Sequence, residues 1–223
     1  MNLALFFEGT GQGVRGKRTN VSLVYEACLE DDAQRRHLEA GPGAHIGALV
    51  LGKTSGVGWR MIFARARRKV SPPTRIFLFG FSRGALLARH AVAEHEARRF
   101  YAYVPLRGGQ VEEALFPGVH SDVGGLYEDD HALADAARAW VAAPAIERGL
   151  RFRPGTDFSE ACVSPTAVRH DSLRLVSNLF GLLRPARRLF PPSMRRHVAP
   201  AGRPSIPTCS SGARTTRQKT RGA

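Results

Sequence analysis

Gly80-Phe81-Ser82-Arg83-Gly84 has the G-x-S-x-G spacing that presents a serine hydroxyl as a nucleophile. Glycines stand two places either side of the serine because side chains there collide when the chain turns sharply from strand to helix. A helix N-terminus behind Ser82 aims its dipole at a developing oxyanion, with the Arg83 N–H as one expected donor. A serine nucleophile also needs a base, and a carboxylate to orient that base. In this kind of site the three follow in the order serine, acid, histidine. Asp122 lies after a short apolar run, in a loop that Gly124 and Gly125 free for close approach, and is the expected acid. His120, two residues from it, reads as an alternative base, but chain order and reach favour a later histidine. Among those, His131 begins the next helix and His197 falls in a basic stretch where solvation is expected. His170, in Val168-Arg169-His170-Asp171-Ser172-Leu173, ends a loop before an apolar run and is the expected base.

Two further glycine patterns compete. Gly47-Ala48-Leu49-Val50-Leu51-Gly52-Lys53-Thr54 matches the phosphate-loop pattern letter for letter. Its interior is bulky and strand-like where backbone N–H groups must wrap phosphate, and Ser55-Gly56-Val57-Gly58 delays the helix that should follow the lysine. Gly11-Gln12-Gly13-Val14-Arg15-Gly16 has dinucleotide-loop spacing, but no helix starts cleanly within it and no clear strand delivers a ribose-binding acid. Both read as surface loops, and a nucleotide-binding protein is the weakest of three functional readings.

The elements expected to position Ser82, Asp122 and His170 alternate strand with helix. Residues 3–7 and 76–79 are continuous apolar runs of the kind buried on both faces of a parallel sheet. Thr19 or Asn20 can cap a helix whose apolar positions Val21, Val24, Tyr25 and Cys28 share one face. Further helices are expected over 59–70, over 85–93 directly behind the serine turn, and over 132–148 with an interruption or end near Pro144. Residues 114–116 and Val119 predict another short strand. The pattern is that of a three-layer α/β fold with a small, mostly parallel sheet.

In a chain of 223 residues, 43% hydrophobic, this fits one domain with a tail. The net charge of +14 is unevenly placed: residues 172–223 hold eleven basic residues and no acidic one, leaving 22 basic against 19 acidic before them. The domain is therefore expected over residues 1–183 and a basic, disordered tail over 184–223. Leu179, Phe180, Leu182, Leu183, Leu189 and Phe190, interleaved with arginines, predict peripheral contact with anionic membranes. Nucleic acid is the rival ligand for such an arm, with no sign of specific recognition. Three widely spaced cysteines argue against a disulfide framework or a zinc site, so no metal and no cofactor is expected. The N-terminus lacks a basic region and a signal-length apolar run, and no run of 18 apolar residues occurs, so synthesis in the cytoplasm is expected.

Taken together, Phe6-Phe7-Glu8-Gly9-Thr10-Gly11, Thr19-Asn20-Val21, Phe79-Gly80-Phe81-Ser82-Arg83-Gly84-Ala85, His90-Ala91 to Arg98, Phe116-Pro117-Gly118-Val119-His120-Ser121-Asp122-Val123-Gly124-Gly125 and His170-Asp171-Ser172 resemble an α/β-hydrolase family. Its bacterial members include the family-one phospholipase effectors of the type VI secretion system. The resemblance implies a serine esterase acting on phospholipid acyl bonds, with Ser82 as nucleophile, Asp122 as acid and His170 as base. It makes the Gly9–Thr10 turn the second oxyanion donor and implies delivery by type VI secretion, with secretion-apparatus or immunity proteins as partners. The chain departs from the family at Glu8, where aspartate is usual. It also lacks the membrane-contacting insertions and C-terminal regions of longer members, and its C-terminal Thr208-Cys209-Ser210-Ser211-Gly212, unlike a folded domain in composition, is expected of a truncated or frame-altered gene. The remaining reading is a degenerate hydrolase fold that only binds.

Overall fold

The computed structural model describes residues 1–9, 18–41, 68, 75–82, 89–98, 101–105, 112–158, 167–173 and 188–197. Leu3, Ala4, Leu5, Phe6 and Phe7 are all buried, as an uninterrupted apolar run requires. They form β1 (Asn2–Phe7), the middle strand of a parallel sheet flanked by β2 (Gln34–Glu39) and β3 (Arg75–Gly80). Between β1 and β2 runs α1 (Asn20–Ala27), capped by Thr19. The Thr19 hydroxyl accepts from the Ser22 N–H at 3.2 Å, and Ser22 Oγ accepts from the Thr19 N–H at 2.8 Å. This is a reciprocal capping box with serine in the place of the usual glutamate. Val21, Val24 and Cys28 of this segment pack with Ala4, Phe6, Phe77 and Phe79 on one face of the sheet. Leu3, Leu5 and Phe7 form the other face with Leu78.

A second parallel sheet holds β4 (Arg89–Ala93), β5 (Glu112–Phe116) and β6 (Arg195–Arg196), in that order. After β5 come the short helix α2 (His120–Gly124) and the long helix α3 (Ala132–Glu147). The alanines of α3 let it lie close to both sheets. Leu133, Ala136 and Ala137 pack on Ala93, Ala114 and Phe116, whereas Ala145 joins the core of the first sheet. Asn20 ties the helices together by donating to the Val123 and Ala134 carbonyls at 2.9 and 2.7 Å. Parallel strands with covering helices place the chain in the α/β class.

Three sequence expectations need correction, and one strand carries no sequence signal. The helix expected over 85–93 is a strand at residues 89–93: a short apolar run suits either state, and parallel pairing with β5 satisfies its backbone while burying Val92 and Ala93. Strand β2 was not anticipated, because Gln34-Arg35-Arg36-His37 carries no apolar signal. It is the outer strand of its sheet, and its polar Gln34 is used internally, bonding the Leu29 and Arg151 carbonyls at 2.7 Å each. Helix α3 is not broken at Pro144 but runs on to Glu147. The boundary at residue 184 does not hold for residues 188–197, which fold onto the body: β6 pairs with β5, and the His197 N–H donates to the Leu115 carbonyl at 2.7 Å. The two decoy glycine loops, residues 83–88 and residue 10 lie outside the described residues, as does the 59–70 helix except Arg68. Among the described residues no helix is long and apolar enough to cross a membrane.

Candidate active site

Strand β3 ends at Gly80, and Ser82 follows with φ 58°. It is the only non-glycine residue with positive φ among those described. A side chain in the left-handed region costs roughly 1–3 kcal/mol, so the surroundings must enforce it. Phe81 does much of that enforcement. Its N–H donates to the Phe7 carbonyl at 3.0 Å, continuing the β1–β3 pairing to the turn itself. Its ring lies against two glycines: a β-carbon at Gly9 would come 2.8 Å from Phe81 Cδ1, and one at Gly124 would fall within contact radius of the ring edge. The same ring stacks on His120 at 4.8 Å. The strained turn is thereby pinned between the end of β1 and helix α2.

Gly9 stands beside the serine, since a β-carbon there would lie 3.5 Å from Ser82 Cβ. This is where a backbone donor from the Gly9 turn is expected; Thr10 and Arg83 lie outside the described residues. The approach of the chain to Gly9 is fixed by Glu8, which is buried and receives the Thr19 hydroxyl at 2.9 Å. Burial raises the Glu8 pKa above the ordinary carboxyl value, outweighing the Thr19 bond that stabilises its charge.

Asp122 sits in the first turn of α2. Its Oδ2 accepts from the Val119 N–H at 2.8 Å, and its Oδ1 from His170 Nδ1 at 2.6 Å. The His170 backbone N–H also reaches Oδ2 at 3.3 Å. The acid and the base expected from sequence, 48 positions apart, are thus in direct contact, with the Asp122 side chain 2% exposed. A carboxylate on Nδ1 selects the tautomer that leaves Nε2 as the proton acceptor. In this structure Nε2 faces Asp129 Oδ2 at 2.9 Å, and the Tyr127 ring stacks on the imidazole at 3.6 Å. Burial disfavours the charged imidazole, but the bonds to Asp129 and Asp122 outweigh it and raise the His170 pKa.

The other histidines have different places. Burial lowers the His120 pKa to about 4, and the ring packs against Phe81 and Tyr101. His131 is the residue before α3. His197, expected to be solvated, stacks on Phe116 at 4.6 Å. Asp129 and Tyr127, which contact the His170 ring, are residues that sequence spacing did not single out: acids and aromatics in loops carry no periodic signal. Among the described residues no cluster of three or more His, Cys, Asp or Glu side chains is arranged to hold a metal ion.

The same helix α2 serves both parts of the site. It presents Asp122 to His170 and, through Gly124 and His120, backs the Phe81 ring that carries the Ser82 turn. Comparison with family models, curated proteins and solved structures finds no match. The chemistry must be read from the residues themselves.

Proposed function

We propose that this chain is a serine esterase with an α/β-hydrolase fold that hydrolyses acyl ester bonds of phospholipids. The observation that carries the reading is the 2.6 Å contact between Asp122 and His170, in a molecule whose single strained non-glycine residue, among those described, is Ser82. The choice of phospholipid as substrate rests on the resemblance of the Ser82 and Asp122 motifs to the type VI secretion phospholipases.

In this mechanism Ser82 Oγ attacks the acyl carbonyl carbon while His170 Nε2 takes the hydroxyl proton, having exchanged Asp129 for the serine. Asp122 holds the imidazole in the productive tautomer and stabilises its charge. The tetrahedral oxyanion is met by the Arg83 N–H and the Gly9–Thr10 turn. Collapse breaks the ester C–O bond, the proton on His170 passes to the departing lysophospholipid oxygen, and an acyl-Ser82 remains. Water, deprotonated by His170, then releases the fatty acid and restores the serine. A binding-only role is the second reading, favoured by the Asp129 contact that occupies Nε2.

Peripheral contact with anionic membrane, delivery by type VI secretion and an immunity or apparatus partner belong to the same proposal. Within residues 188–197 the membrane candidates are Leu189, 84% exposed, and the exposed Arg195. Arg188 and Arg196 are engaged within the molecule instead, Arg188 by the Ala93 and Tyr101 carbonyls and Arg196 by Glu94.

A fluorophosphonate probe tests the enzyme reading. Wild-type protein is expected to be labelled at Ser82, with labelling and ester hydrolysis both lost in Ser82→Ala. Folded wild-type protein that stays unlabelled leaves the binding-only reading in its place.

A further inference from the structure

The loop that carries His170 is anchored at alternate residues, each time by a carboxylate. The Val168 N–H donates to Asp130 Oδ2 at 2.8 Å, His170 bonds Asp122, and the Ser172 hydroxyl donates to Glu96 Oε1 at 3.0 Å. Asp122 belongs to the catalytic machinery as proposed above, and Asp130 bonds the loop at the surface. Glu96 is different: its side chain has no exposed area.

Every oxygen of Glu96 is occupied. Oε1 accepts from the Arg98 N–H and from Arg98 Nε at 2.9 Å each, besides Ser172. Oε2 accepts from Arg98 Nη2 at 2.8 Å and from the His120 N–H at 3.1 Å. Burial alone would favour the neutral acid, but the Arg98 bonds and charge prevail, and the pKa falls to about 2. The partners lie two residues after His170 and two residues before Asp122. One buried carboxylate therefore joins the segment that carries the base to the helix turn that carries the acid. A buried ion pair contributes little to stability compared with apolar packing, but it can specify one arrangement of the segments it joins.

We propose that Glu96 is a positioning residue that locks the His170 loop onto the first turn of α2, so that the imidazole is presented to Ser82 in a single orientation. The proposal rests on the esterase reading for its effect on rate, but the position of His170 can be followed without any turnover. Loss of the tether lets the imidazole drift, and a misplacement of about 1 Å is enough to lower rate by roughly 10²-fold without altering how substrate binds.

The experiment compares wild type, Glu96→Gln and Ser172→Ala, the last removing only one hydroxyl from the loop. Fluorophosphonate labelling and turnover of a short-chain phospholipid are measured beside an NMR titration of the His170 ring. The expected result is a fall in kcat of about 10²-fold for Glu96→Gln and a smaller fall for Ser172→Ala, with KM little changed. In both variants the His170 pKa should drop back toward its ordinary value as its bonds to Asp122 and Asp129 loosen. If kcat and the His170 titration stay at wild-type values while only the melting temperature falls, Glu96 is a structural ion pair and the proposal is overturned. If wild-type Ser82 is not labelled, the esterase reading fails, and the His170 titration decides the tether: a lowered pKa in Ser172→Ala upholds it and an unchanged one overturns it.

Discussion

Among the described residues the support beside Ser82 is steric, with Phe81 fitted between Gly9 and Gly124 and its backbone N–H held by a carbonyl of β1. Around His170 the hydrogen-bond partners are acids: Asp122 and Asp129 on the ring, and Asp130 and Glu96 on the residues two before and two after. The side of the proposed nucleophile is a steric construction, in which a strained φ stands beside a ring packed against two glycines and a backbone bond to β1. The base side is an electrostatic construction, in which orientation comes from charge-assisted hydrogen bonds. The two should therefore fail in different ways. A change of volume should break the first through stability, and a change of charge should break the second through rate and pH dependence.

The sharpest break on the base side is Asp122→Asn, which keeps the shape and removes the charge. An amide on Nδ1 no longer enforces the tautomer with a free Nε2, and a loss of roughly 10⁴-fold in kcat is expected with the melting temperature little altered. Turnover of a short-chain phospholipid measures it. A loss of less than tenfold would mean that Asp122 does not orient the base.

On the nucleophile side Gly124→Ala is the matching test. Its β-carbon would enter the space of the Phe81 ring, which adjoins Ser82 and would have to shift. Overpacking of this kind costs about 1–3 kcal/mol, and labelling of Ser82 should fall together with thermal stability. A variant that labels at the wild-type rate with an unchanged unfolding curve would show that Phe81 does not support the turn.

Asp129→Asn carries the smallest expected effect and refines the comparison. Asp129 helps to raise the His170 pKa and occupies the nitrogen that must accept the serine proton. Because only neutral imidazole acts as the base, removing this charge should lower the pKa and move the acid limb of the labelling rate to lower pH. The rate near pH 6 should rise by a few-fold, with little change in alkaline solution. An acid limb that stays in place would exclude Asp129 as the group that holds Nε2.

Much of the steric half is legible along the chain because its determinants are local. Residues 3–7 and 76–79 are apolar without interruption, Thr19 precedes an amphipathic stretch, and glycines flank Ser82, so β1, α1 and β3 follow from runs of adjacent residues. The electrostatic half is legible only in its two principal residues, Asp122 and His170, whose order after Ser82 singles them out. Ala91-Val92-Ala93 in β4 is too short a run to tell strand from helix, and Gln34-Arg35-Arg36-His37 in β2 carries no apolar signal at all.

By itself the sequence determined the types and the order of the groups proposed to react, the sharp turn at Ser82 and the apolar strands leading to it, since these depend on neighbours a few residues away. Only the tertiary structure decided that Asp129 takes the other ring nitrogen of His170 and that Glu96 joins the His170 loop to the first turn of α2. A carboxylate placed 24 or 76 positions from its hydrogen-bond donors leaves no periodic trace in the chain. Which distant donor it receives is chosen by burial, where an unpaired charge is too costly to survive and packing determines which partners can reach it.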